Sequence, residues 1–270
     1  MHRPTDVKAA KVLRGNAMKN INTKEDVEGD AKALLEFQMQ EVERIDKGQR
    51  WCLLILTTHN SLHTKYPHTS VSRELHRPQQ SPDVMFNNAG MTFNEGSIME
   101  MDVYMANKLV SVNVNGVLHG IKHAAKAMIK GGGGGSIICT SSSSGIMGGL
   151  GGHAYTLSKG AINGLVRTTA CELGSHGIRV NSISPHGVPT DILVNAYRKY
   201  LNNDKLDVPE VTDIVAEKGS LPGRAGAVED VAQAALFLAS QESSGFITGH
   251  NLVVDGGYTS ATSTMKFIYN

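Results

Sequence analysis

A chain of 270 residues with 40% apolar content can bury one good-sized core, which suits a single α/β domain better than two separate ones. Its formal net charge of +1, from 26 basic and 25 acidic side chains, offers a polyanion nothing to bind. An aromatic content of 5% also argues against stacking platforms for single-stranded nucleic acid.

Glycine divides the chain. Only Gly15, Gly29 and Gly48 precede residue 81, and the other twenty-six follow it. The region 1–80 is therefore set apart as an atypical N-terminal region, 81–259 as the body and 260–270 as a tail. Within the first region, Asn22 to Lys47 reads as one charged helix with a thin apolar stripe of Val27, Ala31, Leu34, Leu35 and Met39. Trp51 to Thr58 reads as a buried strand, and His59 to Gln80 as a solvated loop. Four histidines there (His59, His63, His68, His76) have no acidic or cysteine ligand at fixed spacing, so no metal is expected.

From Ser81 the alternation of strands and helices is clear. Asp83–Asn87 is a short strand entering a tight bend at Asn88-Ala89-Gly90, where small residues let a flat ligand approach the main chain. Val103 to Lys130 forms one long helix with Val117, Ile121, Ala124 and Met128 on a face. Asn113 sits inside it, where asparagine ordinarily turns to solvent, and neighbouring Gly116 favours a kink that frees a main-chain carbonyl to hold a water. The glycine run 131–135 is a flexible loop before the strand Ser136–Thr140. Ile162, Val166, Ala170 and Leu173 stripe the next helix, which Gly174 and Gly177 end. Arg179–Ser184 is a further strand running into the rigid turn Pro185-His186-Gly187-Val188-Pro189-Thr190. Asp191 to Gly219 lacks the density of a core element and suits a mobile lid; a helix at Val228–Ser240 and a strand at Asn251–Asp255 complete the pattern. Alternation of this kind predicts a doubly wound parallel sheet with helices on both faces.

Three cysteines (Cys52, Cys139, Cys171) have no paired spacing and read as buried thiols in a reducing compartment. The longest apolar run, Trp51 to Leu56, is far too short to span a bilayer, and the first fifteen residues show no apolar signal core. These features predict a soluble cytoplasmic protein with no nucleic-acid or membrane partner.

The chemistry concentrates in Ser142 to Lys159. A serine precedes Tyr155 by thirteen positions and a lysine follows it by four. If Tyr155 opens a helix, the four-residue step stacks Tyr155 and Lys159 on one face. An ammonium beside the phenol is expected to lower its pKa from near ~10, so that a proton can move at neutral pH. Ser142, at a strand end, can hydrogen-bond the substrate oxygen. A serine hydrolase built on Ser142 and His153 fits poorly, since the serine lacks a G-x-S-x-G elbow and no acid orients the histidine.

Taken in order, NNAG, Asn113, Ser142, Tyr155-x-x-x-Lys159, SPHGVPT and VVDGGYT resemble the short-chain dehydrogenase/reductase family over Ser81 to about Thr259. The wording is most similar to plant members acting on terpenoid and lignan alcohols. That resemblance implies a Rossmann-like sheet and NAD(P)-dependent interconversion of a secondary alcohol and a ketone, with NAD(H) favoured over NADP(H). It implies Tyr155 as general acid/base, with Lys159 tuning it and gripping the nicotinamide ribose. Ser142 would orient the substrate oxygen and Asn113 hold the water of a proton relay. Asn88, Ala89 and Gly90 would lie along the cofactor, and Pro185, Val188 and Thr190 would hold its carboxamide side. Pairing through the helices Val103–Lys130 and Tyr155–Leu173 would give a homodimer or homotetramer. The family's opening G-x-x-x-G-x-G turn, which receives the pyrophosphate on a helix N-terminus, has no counterpart in residues 1–80. Neither has the acidic residue that selects NAD, and an Asp-Val pair at the adenine is missing as well. The competing expectation is a catalytically impaired relative, or the product of a disrupted gene, without the phosphate-binding turn.

Overall fold

The computed structural model describes residues 19–20, 51–54, 82–93, 95–218, 221 and 223–261. Among these, the strands are β1 (Lys19–Asn20), β2 (Trp51–Leu54), β3 (Val84–Asn87), β4 (Met91–Thr92), β5 (Gly135–Thr140), β6 (Ile178–Pro185) and β7 (Asn251–Val254). The helices are α1 (Val103–Val110), α2 (Gly116–Lys130), α3 (His153–Leu173), α4 (Asp191–Tyr200), α5 (Val208–Lys218), α6 (Val228–Ala239) and the single turn α7 (Gln241–Ser244). The predicted helix at 22–47 and loop at 59–80 lie outside the described residues. So do residues 55–58 of the predicted strand.

Five strands form one parallel sheet in the order β2-β3-β5-β6-β7, while β1 pairs with β4 in a separate two-stranded ribbon. In register, Asn87 faces Cys139 across β3 and β5, and Thr140 faces Ile183 across β5 and β6. Successive strand residues point to opposite faces, and both faces here are covered. Met85, Ile137, Cys139 and Val180 pack beneath α2 and α3, whose predicted stripes (Val117, Ile121, Ala124, Met128; Ile162, Val166, Ala170, Leu173) are all buried. Val84, Phe86, Ile138 and Ile183 pack against Val231, Ala234, Ala235 and Leu238 of α6 on the opposite side. This is the predicted doubly wound arrangement.

Local signals explain where the elements start and stop. The Asp102 carboxylate accepts the Tyr104 and Met105 N–H groups at 2.9 and 3.2 Å and starts α1. Asp230 accepts the Ala227 N–H at 2.8 Å and closes the first turn of α6. Gly177, at φ 70°, takes the left-handed conformation that ends the helical run before β6. The glycine run is more ordered by hydrogen bonds than a flexible loop implies: Gly133 donates to the Met128 carbonyl, and Gly134 to that of His176.

Three expectations need correction. The long helix is not uniform, because Ser111–Asn115 forms a π turn between α1 and α2. Leu109, Asn113 and Val117 are all buried, and two successive four-residue steps drift about 80° around a regular helix. The wider π turn absorbs that drift. The segment from Asp191 onward also has its own apolar cluster, Val194, Leu206, Val211 and Val215, so it is packed rather than lacking core density. Finally, Cys139 is buried as expected but Cys171 is exposed.

Leu238 is fully buried in the α6 layer. Leu238→Ala is expected to lower unfolding stability by about 3 kcal/mol, the range for an aliphatic cavity that cannot fully collapse. Urea unfolding followed by circular dichroism measures this, and a loss under about 1 kcal/mol contradicts a tightly packed second layer.

Candidate active site

The site forms where β3, β5 and β6 end, the position at which open parallel sheets bind ligands. Asn88, Ala89 and Gly90 follow β3, Ser141 and Ser142 follow β5, and Pro185 to Thr190 leave β6. Asn88–Gly90 and Pro185–Thr190 are all half-buried, so these turns form walls that are neither filled by the core nor fully open. Thr140 Oγ1 donates to Asn88 Oδ1 at 2.7 Å and ties the first two together.

α3 delivers the reactive side chains. Ser142 faces the Tyr155 phenol closely enough to pull its pKa down, and the Lys159 ammonium lies 5.6 Å from the centre of the Tyr155 ring. Ser142 is held in extended backbone (φ −166°, ψ 157°), and its Oγ accepts the Ser144 N–H at 3.2 Å. The structure thus brings Ser142, Tyr155 and Lys159 together, with Tyr155 and Lys159 one turn apart on α3.

The protein fixes Lys159 at several points. Its side chain is 1% exposed, and its ammonium donates to the Thr140 carbonyl at 2.9 Å. Ser141 Oγ donates to the Lys159 carbonyl at 2.9 Å. Gly145 supplies the close approach: a Cβ there would stand 2.6 Å from the Lys159 carbonyl carbon. The turn Ser143–Gly145 can therefore lie directly on α3.

The electrostatics overturn one expectation. Tyr155 is not lowered; burial pushes its phenol up to about 12, and Ser142 offsets this only in part. The reason is geometric: the Lys159 ammonium lies over the ring and is bound to Thr140 O, so it is not paired with the phenol oxygen. Burial in turn lowers Lys159 to about 8, opposed by its electrostatic coupling to Cys139. Cys139 itself is pushed up to about 12 by burial, while an Asn87 Nδ2 bond to its sulfur at 3.5 Å and the Lys159 charge pull the other way.

Asn113 is fully buried, where the sequence expectation turned it to solvent. The Met91 N–H donates to its Oδ1 at 2.8 Å, and its Nδ2 donates to Met91 O at 3.0 Å and Ser158 Oγ at 3.1 Å. Its amide therefore binds the π turn to β4 and to the helix face one residue before Lys159. The irregularity in this helix is a π turn at Ser111–Asn115.

Sequence reasoning missed Glu95, Thr140, Ser141 and the His186 cluster. Ser143 Oγ and His186 Nδ1 share a hydrogen bond of 2.8 Å, and the His186 ring stacks on Tyr258 at 3.9 Å. Burial lowers the His186 pKa, and Asp255 opposes the shift. Glu95 bonds the first turn of α3 (below). The one visible hint was Gly152, a helix start with no side chain to cap it.

A nicotinamide cofactor can be tested against these residues. Thr140 O takes one of the three Lys159 N–H groups, and no other acceptor among the described residues takes a second. That leaves donors at the strand ends for a ribose diol, between walls of small and half-buried residues. The residues present fit the ribose–nicotinamide end. No group of three metal-ligating side chains occurs among the described residues, and none of their helices is long and apolar enough to cross a membrane.

Fold and site together define a Rossmann-like protein with its reactive groups on the carboxyl edge of the sheet. Residues 69–259 match the family described as enoyl-(acyl carrier protein) reductase. Among similar proteins, short-chain dehydrogenase reductase ATA1 of Arabidopsis thaliana is 83% identical over 215 residues, covering 76% of this chain and 79% of that protein. (+)-Borneol dehydrogenase 2 of Salvia officinalis is 42% identical, with 68% of this chain and 64% of that protein covered. Secoisolariciresinol dehydrogenase of Forsythia intermedia is 43% identical, with 68% and 64% covered, so the chain spans just under two thirds of these two relatives. The solved structure of ElxO with NADP bound is 32% identical at a TM-score of 0.57, covering 66% of this chain and 68% of ElxO. This chain belongs to the short-chain dehydrogenase/reductase family, which uses NAD(P)(H), and is of the plant type.

The Lys159 shift has a direct consequence for stability. The folded value of about 8 lies below the ordinary 10.5. The unfolded chain therefore binds this proton more readily, the cost of burying the charge is full below pH 8, and it is relieved as pH rises to 10.5. The stability of Lys159→Met relative to the native chain should accordingly be greatest near pH 7 and shrink by pH 10.5. Urea midpoints of both proteins at the two pH values measure this; a constant or widening difference contradicts the buried ammonium.

Proposed function

We propose that this chain interconverts a secondary alcohol and a ketone with a nicotinamide cofactor, using Tyr155 as the proton-exchanging residue. The observation that carries this reading is the placement of Lys159 over the Tyr155 ring on α3, with Ser142 at the end of β5 close enough to pull the phenol pKa down. A bound nicotinamide supplies the hydride acceptor or donor. In the reducing direction the Tyr155 O–H gives its proton to the carbonyl oxygen as that oxygen gains charge. In the oxidising direction the Tyr155 oxygen takes the carbinol proton. Ser142 donates to the same substrate oxygen and holds it beside Tyr155.

The high Tyr155 pKa keeps the phenol protonated, which suits proton donation. Proton removal from an alcohol needs a phenolate, and the Lys159 ammonium, charged below about 8, is the cation placed to stabilise it. The donors that Lys159 has left would hold the ribose, with Asn88, Ala89 and Gly90 along one side of the cofactor. Pro185, Val188 and Thr190 would line the carboxamide side. Asn113, at the π turn, would hold the water of a proton relay. We read the cofactor as NAD(H) in preference to NADP(H), and the substrate as a terpenoid- or lignan-like alcohol. The second choice is supported by the likeness to a borneol and a secoisolariciresinol dehydrogenase. Pairing through α2 and α3 into a homodimer or homotetramer and a cytoplasmic setting complete the reading.

Purified protein should bind NADH at micromolar concentration, followed by nucleotide fluorescence, and should oxidise a secondary terpenoid alcohol. Tyr155→Phe is expected to lower kcat by about 10³-fold while the circular dichroism spectrum is kept. Ser142→Ala should cost about 10²-fold. Unchanged turnover in Tyr155→Phe, or no NADH binding at millimolar concentration, sinks this reading.

A further inference from the structure

α3 begins without a cap of its own. Its N-cap residue is Gly152, in extended backbone (φ −61°, ψ 163°), and no side chain there can accept from the first turn. The N–H groups of the second and third helical residues, the pair a capping serine or aspartate would serve, belong to Ala154 and Tyr155. Both are taken by Glu95, which lies about sixty residues earlier in the chain. Its Oε2 accepts the Ala154 N–H at 2.6 Å and its Oε1 accepts the Tyr155 N–H at 3.0 Å. Glu95 is 7% exposed, so its carboxylate depends on these bonds in place of water.

Space and charge agree with this pairing. A Cβ on Gly152 would come within 2.4 Å of the Glu95 carboxyl carbon, so the missing side chain at 152 is what admits the distant carboxylate. A negative group at a helix N-terminus also meets the positive end of the helix dipole. One of the two N–H groups is that of Tyr155 itself, so the grip acts on the main chain that carries the reacting hydroxyl.

We infer that Glu95 is a positioning residue: it caps α3 from a separate segment and thereby fixes Tyr155 against Ser142. This inference rests on the proposed role of Tyr155, but the capping itself can be measured without turnover. The test is a cycle of Glu95→Ala, Gly152→Ser and the double variant. Three readouts are taken: the melting temperature of the free protein, the NADH dissociation constant, and kcat with NAD and borneol.

Glu95→Ala leaves two N–H groups without partners and is expected to lower the melting temperature, with kcat falling about 10²-fold from misplacement of Tyr155. Gly152→Ser alone should also be impaired, because its Cβ collides with Glu95. Together they should recover most of the lost melting temperature and bring kcat to within about threefold of the native chain, since a serine at 152 can accept from the Ala154 or Tyr155 N–H at a standard N-cap position. Two losses that compensate when combined are not produced by a residue that simply fills space. A double variant that melts as low as Glu95→Ala overturns the capping role. A double variant that regains melting temperature and NADH affinity but not kcat overturns the positioning role. If the native chain turns over no alcohol at all, the proposed reaction fails, and recovery of melting temperature and NADH affinity in the double variant still supports the cap.

Discussion

The site depends on a close main-chain contact between the end of β5 and the second turn of α3. Gly145 rests almost on the Lys159 carbonyl, Ser141 donates to that same carbonyl, and the Lys159 side chain returns to donate to Thr140 O. Backbone and side chain of one residue are thus bonded to Ser141 and Thr140, and Gly145 of the same strand-turn segment packs closely on its carbonyl. The serine that follows Ser141 and the tyrosine four residues before Lys159 are brought close enough that Ser142 pulls the phenol pKa down. A parallel strand with apolar residues on both faces ends abruptly at the sheet edge, and four serines then take over the polar contacts there.

The electrostatic consequence of this packing runs against the simplest view of a lysine beside a tyrosine. Proximity in sequence places the two on one helix face, but burial dominates both titrations. The phenol rises and the ammonium falls, because each charge loses its water. Cys139 on β5, turned toward the same helix, adds a thiol that is also kept neutral. The site is therefore a low-dielectric chamber whose charges are costly to form. Charges that do form there interact more strongly than they would in water.

Much of this was readable from the residue order. The apolar stripes of α2 and α3, the strand ends and the four-residue step from Tyr155 to Lys159 follow from period and spacing, and each lies where those rules put it. Other features could not be read because they depend on contacts between distant segments. Glu95 is an ordinary acidic residue in a glycine-flanked loop until α3 is placed beside it. Asn113 reads as a solvent-facing break in a helix, yet Met91 and Ser158, far away in sequence, bury it. The phenol pKa was misjudged because a one-dimensional spacing says which side chains are near, and nothing about how much water they lose. The segment 191–218 looked too charged for a core, and its cluster of four buried apolar residues closes only once α4 and α5 fold against each other.

The π turn at Ser111–Asn115 sets the phase between the two halves of a long helix. Upstream it aligns Leu109 with the cluster around Met91, and downstream it aligns Val117 and Ile121 with the sheet. One residue more is accommodated there than an α-helix holds over the same rise. Shortening the segment by a single residue would make the helix regular and locally easier to form. Keeping every residue in a regular α-helix would instead rotate one half against the other by about 80° and carry Asn113 off β4. The chain keeps a less favourable helical geometry because the more regular one points its buried asparagine in the wrong direction.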